Sequence, residues 1–226
     1  MTPARPDRTR APYRPKVGAA AGLVLAGGLA TRLGGGDKTL RLLGGRHMLS
    51  HVIDRLAPQV GPTAISANGD PARFAAFGLP VLPDHAPAGQ AGPLAGILSG
   101  LEWTRRETSC KRMLTVAGDT PFFPDDLAAR LNAAAAGHPD RIAVASSRLR
   151  RHPVFALWPV SLEEDLRRFL SEGASFSVAS FLDRNDVATV DFPIRQMGGA
   201  EFDPFFNVNT PDDLAEAEEI HRKWIS

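Results

Sequence analysis

The sequence predicts one α/β domain with a mostly parallel β-sheet and helices on both faces. Three observations carry that prediction. From residue 20 onward, short apolar runs alternate with amphipathic stretches at helical spacing. No internal repeat and no long Ser/Gly linker divides the chain. Its 226 residues, 43% hydrophobic and 23% charged, are room for one good-sized core.

Each element has its own local reason. Residues 20–25 are an unbroken apolar run and read as a buried strand. Met48, Leu49, Val52, Ile53 and Leu56 fall on one face of a helix over 48–56. Residues 63–67 read as a second strand, 71–77 as a short helix, and 79–82 as a third strand stopped by Pro83. Pro93 opens a helix over 93–104. Residues 111–117 are a fourth strand. A helix over 125–136 has acidic residues in its first turn. Strands over 141–145 and 153–157, a helix over 162–170 and a strand over 187–191 follow. Thr210 caps a closing helix over 212–224, with Pro211 at its first position. In folds of this kind ligands bind beyond the carboxyl ends of the strands, so the residues just after each strand are the ones to examine.

Composition excludes several classes. The formal net charge of +1 does not suggest a nucleic-acid partner. The single Cys110 rules out a disulfide framework and a paired-cysteine zinc site. No apolar run reaches the roughly 20 residues that span a bilayer. Residues 1–18 carry Arg5, Arg8, Arg10, Arg14 and Lys16 among four prolines, and read as a disordered basic tail before a domain over 19–226. Residues 17–26 imitate a secretory signal after that tail, yet they pass straight into a glycine loop. They read as a strand, and the protein is expected in the cytoplasm.

The loop after the first strand is the most informative stretch. Residues 25–38 hold Gly27, Gly28, Gly34, Gly35 and Gly36 together with Arg32 and Lys38. Glycines let successive N–H groups converge on an anion, and the two cations supply charge where phosphate oxygens gather. The implied chemistry is triphosphate binding. The spacing matches neither a Walker A loop nor a dinucleotide fingerprint. Asp119 ends the fourth strand, where it suits either a Mg²⁺ held with phosphates or a turn before Pro121. Asp84 follows the third strand. Gly92-Pro93-Leu94-Ala95-Gly96 opens a helix whose free N–H groups suit an anion or ribose. Asn207 and Asn209 alternate with Val208 and point to one side of an extended segment. His152 is a lone histidine and reads as structural. Arg148, Arg150 and Arg151 read either as a solvated loop or as a grip on the phosphate of an incoming substrate, the three tryptophans as packing, and Cys110 carries no assigned chemistry.

Leu25-Ala26-Gly27-Gly28, Arg32, Gly34-Gly35 and Lys38 resemble the glycine loop of nucleoside-triphosphate transferases. With Asp84, Gly92–Gly96, Asp119-Thr120-Pro121, His152-Pro153 and Asn207-Val208-Asn209-Thr210-Pro211, the chain is similar to molybdenum cofactor guanylyltransferases over residues 20–215. The resemblance implies a single Rossmann-like nucleotidyltransferase domain. It implies Mg²⁺-dependent transfer of GMP from GTP to molybdopterin, with pyrophosphate released. It makes Arg32, Lys38 and Asp119 the catalytic residues, with Asp119 on the metal. Nucleotide contacts fall to Leu25, Ala26, Gly27, Gly28, Gly35, Lys38, Ser66, Asn68, Asp84 and Gly92, with Asp84 on the guanine. Asn207 and Asn209 face the molybdopterin. Relatives often carry Asn where this chain has Ser66, a shorter group that leaves part of that role to Asn68. Implied partners are GTP, molybdopterin with or without metal, and transiently the proteins that supply molybdopterin or receive the finished cofactor. A cytidylyltransferase using CTP and a non-catalytic GTP-binding delivery protein are the alternatives.

Overall fold

A computed structural model describes residues 20–27, 37–84, 92–173, 177–197 and 199–225. The expected tail and the loop residues Gly28, Arg32 and Gly35 lie outside them. Seven strands form the main sheet. They are β1 (Ala21–Leu25), β4 (Thr63–Ser66), β5 (Val81–Leu82), β6 (Arg112–Ala117), β7 (Ile142–Ser147), β8 (Arg150–Pro159) and β9 (Val187–Asp191). Their order is β5-β4-β1-β6-β8-β7-β9, and every neighbouring pair is parallel except the two that involve β8. Two small hairpins stand apart, β2 (Leu42–Leu43) with β3 (Arg46–His47), and β10 (Arg195–Met197) with β11 (Ala200–Phe202). The helices are α1 (Met48–Leu56), α2 (Gly92–Glu107), α3 (Leu127–Ala134), α4 (Glu163–Glu172), α5 (Val178–Leu182) and α6 (Pro211–Ile225).

Strand alternation divides the core between the two faces. Val24, Ile65, Leu114 and Val116 point toward α1 and α3, where Leu49, Val52, Ile53, Leu127 and Leu131 complete one cluster. Leu23, Met113, Ile142 and Val144 point the other way, toward α2, α4 and α5. Trp158 is fully buried there, and its indole N–H donates to Thr115 Oγ1 at 2.9 Å. Thr115 in turn donates to the Val154 carbonyl at 2.6 Å. A third, smaller cluster of Leu43, Met48, Phe122, Phe202, Val208 and Ile220 fastens the hairpins and α6 to the rim.

The strands and helices read from the sequence are met in order, several with shifted ends, while α5 and the two small hairpins were not among them. The helix expected over 125–136 runs only over Leu127–Ala134, and Asp125 lies before it, ion-paired with Arg55. β8 runs against its neighbours, because β7 turns back through Arg148 and Leu149 (φ 46° and 64°). A two-residue turn of that hand is normally announced by Asn-Gly, which is absent here. The pairing of β7 with β8 then jumps from Val144↔Ala156 to Ala145↔His152. Residues 153–155 therefore bulge from the ladder at Pro153, which has no N–H to give it. The Thr210 cap is as expected: Asp213 N donates to Thr210 Oγ1 (3.1 Å) while Thr210 N donates to Asp213 Oδ2 (2.8 Å).

Helix α2 lies close to the sheet because it carries glycine where it crosses β1 and β6. A Cβ added at Gly100 would meet Leu23 Cδ2 at 2.5 Å and Met113 Sδ at 2.7 Å. Alanine gains about 1 kcal/mol of helix propensity over glycine, but overpacking a core costs about 1–3 kcal/mol. Gly100→Ala is therefore expected to lower the urea midpoint despite the better helix former. A raised midpoint would show that α2 can move away from the sheet freely.

Candidate active site

The parallel register sets four strand ends level. Leu25 pairs with Ser66 and Ala117, and Ser66 with Leu82. The ladders continue one residue further: Ala26 N donates to Ser66 O, Ala67 N to Leu82 O and Gly118 N to Leu25 O, all within 3.0 Å. Residues beyond that edge are thus delivered to one place by rigid backbone. A cleft of about 870 Å³ opens there. Its wall includes Leu25, Ala26, Gly27, Ser66, Asn68, Asp84, Gly92, Asp119 and Asn207. These are all of the expected site residues within the described segments except Lys38 and Asn209.

Those two join through hydrogen bonds. Lys38 Nζ lies 2.5 Å from Asp119 Oδ2 and also donates to Asn209 Oδ1. Both members of the ion pair are mostly shielded, with side-chain exposures of 14% and 19%, which strengthens their attraction over that of a surface pair. The other Asp119 oxygen accepts from Thr120 Oγ1 at 3.2 Å, and Thr120 Oγ1 also bonds Asn207 Oδ1 at 2.9 Å. Val208 N donates to the Asp119 carbonyl at 2.9 Å. The 207–209 segment is therefore laced to the end of β6 by both main chain and side chains.

At the other end of the cleft, Asp84 is held as a fixed carboxylate. Asn68 Nδ2 donates to Asp84 Oδ2 at 2.7 Å, and Asp84 N donates back to Asn68 Oδ1 at 2.9 Å. Ser66 Oγ donates to Asp84 Oδ1 at 3.3 Å. Helix α2 presses from above: a Cβ at Gly96 would collide with Ser66 Oγ and approach Asp84 Oδ1 to 3.3 Å. Ser99 Oγ ties α2 to the Pro83 carbonyl at 2.9 Å. Ser66 and Asn68 thus both spend their side chains on Asp84.

Arg73 in the cleft wall escaped sequence reasoning. Arg73, on the 3-10 helix Pro71–Phe77, ion-pairs with Asp37 at 2.6 Å. It also donates to the Asn68 and Asp70 carbonyls at 2.5 and 3.0 Å. It links the residue before Lys38 to the end of β4. Nothing local distinguishes Arg73 from a solvent-facing arginine, so no signal in the sequence points to it.

The oxygen set at Asp119 suits a hard cation. Asp119 Oδ2 and Asn209 Oδ1 already hold one positive group, the Lys38 ammonium. Among the described residues no group of three or more His, Cys, Asp or Glu could hold a metal by itself. A divalent ion here would need phosphate oxygens and water to complete its shell, which is how Mg²⁺ is usually bound with triphosphates.

Residues 22–188 match the MobA-like NTP transferase domain. The chain belongs to the MobA-like NTP transferase family. A molybdenum cofactor guanylyltransferase of Mesorhizobium japonicum is 54% identical over 206 residues, covering 91% of this chain and 98% of that one. Another, from a Bradyrhizobium species, is 54% identical over 200 residues, covering 88% and 92%. Among solved structures, molybdopterin-guanine dinucleotide biosynthesis protein A of Archaeoglobus fulgidus superposes with a TM-score of 0.66 at 24% identity, covering 90% of this chain and 99% of that one. The CTP complex of CMP:2-keto-3-deoxy-manno-octonic acid synthetase gives 0.67 at 14%, covering 91% and 99%. The MobA-like fold is thus shared with nucleotidyltransferases of very different sequence. No helix among the described residues is long and apolar enough to cross a membrane.

Two histidines carry a pH signature. Burial pushes His51 below its ordinary 6.5, opposed by its bond to the Leu43 carbonyl. Burial likewise lowers His152, opposed by Asp203. Below pH 6.5 the unfolded chain takes up protons that these native rings resist, so stability falls as pH falls from about 6.5 toward 5. Urea midpoints measured from pH 8 to 5 are expected to be level above 6.5 and to drop below it. The drop is expected to shrink in His51→Gln/His152→Gln protein, and an equal drop there would assign it to other groups.

Proposed function

We propose that this enzyme transfers GMP from GTP to molybdopterin, with Mg²⁺, forming the guanine dinucleotide and pyrophosphate in the cytoplasm. The observation that carries the reading is the distribution of charge in one cleft. A fixed, clamped carboxylate stands at one end, and a lysine–aspartate–asparagine knot stands at the other. The names of the relatives at 54% identity support it.

Guanine presents N1–H and N2–H donors side by side on one edge. A carboxylate held in one orientation accepts both, and Asp84 is such a group. Its oxygens keep lone pairs free after the bonds from Asn68 and Ser66. Leu25–Gly27, and by extension Gly28, Arg32 and Gly35, would follow the phosphates, with Gly92 at the start of α2 beside the nucleoside. Lys38 has three N–H donors, of which Asp119 and Asn209 take two. The third is available to a phosphate oxygen, and Arg32 would add a second cation. Mg²⁺, held by Asp119, would neutralise the triphosphate charge. The acceptor phosphate of molybdopterin is already a nucleophile at neutral pH, so no strong general base is required. Asn207 and Asn209 would hold the acceptor, while the chain aligns the two phosphates for in-line displacement at the α-phosphorus.

With Mg²⁺ and molybdopterin, pyrophosphate release is expected from GTP and not from ATP, CTP or UTP. Release from CTP instead would overturn the guanine assignment, and GTP binding without release would make this a delivery protein. Asp119→Asn is expected to lower kcat by at least about 100-fold with the fold intact. Asp84→Asn is expected to cost about 10–100-fold in kcat/KM for GTP, the worth of hydrogen bonds to a charged acceptor. Equal losses with GTP and ITP, which keeps N1–H but lacks the N2 amine, would place Asp84 away from that amine.

A further inference from the structure

His152 and Pro153 belong to the motif set of the sequence, yet the reaction above gives them no role. The structure sets His152 in a chain of three polar groups outside the cleft wall. Its Nε2 lies 2.7 Å from Ser147 Oγ, and Ser147 Oγ lies 2.6 Å from Asp203 Oδ2. The imidazole also stacks on Phe205, ring centres 4.4 Å apart and planes 23° from parallel. The other Asp203 oxygen accepts from Phe205 N at 2.9 Å.

Proton counting fixes the direction of this chain. An ionised Asp203 can only accept, and Ser147 has one proton, so the serine donates to the carboxylate. Its oxygen must then accept from His152 Nε2–H. Serine is the middle member here, whereas in a nucleophilic triad the histidine stands between serine and carboxylate. Ser147 is also fully buried. The group is therefore not a hydrolytic site.

What it holds is the start of residues 203–209. The far end of that segment is held by Asp213, whose Oδ2 accepts from Asn209 N and Thr210 N at 2.7 and 2.8 Å. Between the two anchors lie the contacts with the site: Asn207 with Thr120, Val208 N with the Asp119 carbonyl, and Asn209 with Lys38. We infer that Ser147, His152 and Asp203 form a latch that positions the Asn207–Asn209 segment against Asp119 and so sets affinity for the acceptor more than for GTP, because Lys38 and Asp119 keep their own direct ion pair when the segment loosens. His152 and Ser147 are positioning residues, and the inference rests on the acceptor role proposed for Asn207 and Asn209.

The test uses the full chain as His152→Ala, Ser147→Ala and His152→Gln, the last because the Gln amide can donate where Nε2–H does. Three quantities are read: exchange of the Val208 amide, affinity for Mg²⁺·GTP by calorimetry, and KM for molybdopterin. In His152→Ala and Ser147→Ala, Val208 exchange is expected to speed about tenfold and the molybdopterin KM to rise about tenfold, as loss of one or two buried hydrogen bonds predicts. GTP affinity is expected to stay within about twofold, and His152→Gln to recover most of both losses. Unchanged Val208 exchange in both truncations, or GTP affinity falling in step with acceptor affinity, would overturn the latch. Wild-type protein that binds GTP but does not use molybdopterin would overturn the function, while Val208 exchange would still decide the latch.

Discussion

The ion pair between Lys38 and Asp119 fastens one end of the cleft. Lys38 opens the short 3-10 helix Lys38–Leu40, and Asp119 lies just beyond β6, the strand beside β1. Partial burial makes the attraction stronger than a surface pair and makes an unpaired partner costly. The Asn209 amide shares the same ammonium, so the segment before α6 is drawn to the same point. Three regions far apart in sequence therefore meet on one cation. The backbone beneath them is rigid because β1, β4 and β6 are parallel and end level.

The opposite end of the cleft works by steric restriction. Ser66 is short, and Gly96 has no side chain, so α2 settles directly onto the end of β4. Asn68 uses both ends of its amide on Asp84. A carboxylate restrained at both oxygens loses little freedom when it meets a ligand, which favours a discriminating contact over a merely attractive one. Ser66 thus bonds one oxygen of the carboxylate, while the longer Asn68 bonds the other oxygen and the Asp84 N–H.

Thr115, buried in β6, holds the Val154 carbonyl, and the bulge at Pro153 brings Val154 to the cleft wall. The same bulge leaves His152 paired with Ala145 and stacked on Phe205. A local irregularity in one strand thus shapes the cleft and presents a polar anchor behind it.

Much of this was legible in the residues. Alternating apolar runs and amphipathic stretches determined the α/β class, because burial on both faces of a sheet demands that pattern. The carboxylates after strand ends pointed to the edge where the cleft opens, because residues just beyond a parallel strand project from the sheet edge. The capping of α6 by Thr210 was local and readable, and the reciprocal bond to Asp213 was seen only in the structure. Other features were decided by tertiary structure alone. The reversal of β8 depends on a turn whose Arg148 and Leu149 give no warning of positive φ. Arg73 reaches Asp37 across more than thirty residues, and Ser147 reaches Asp203 across more than fifty. Such pairings leave no periodicity and no spacing in the chain, because they arise only when packing brings distant backbone together.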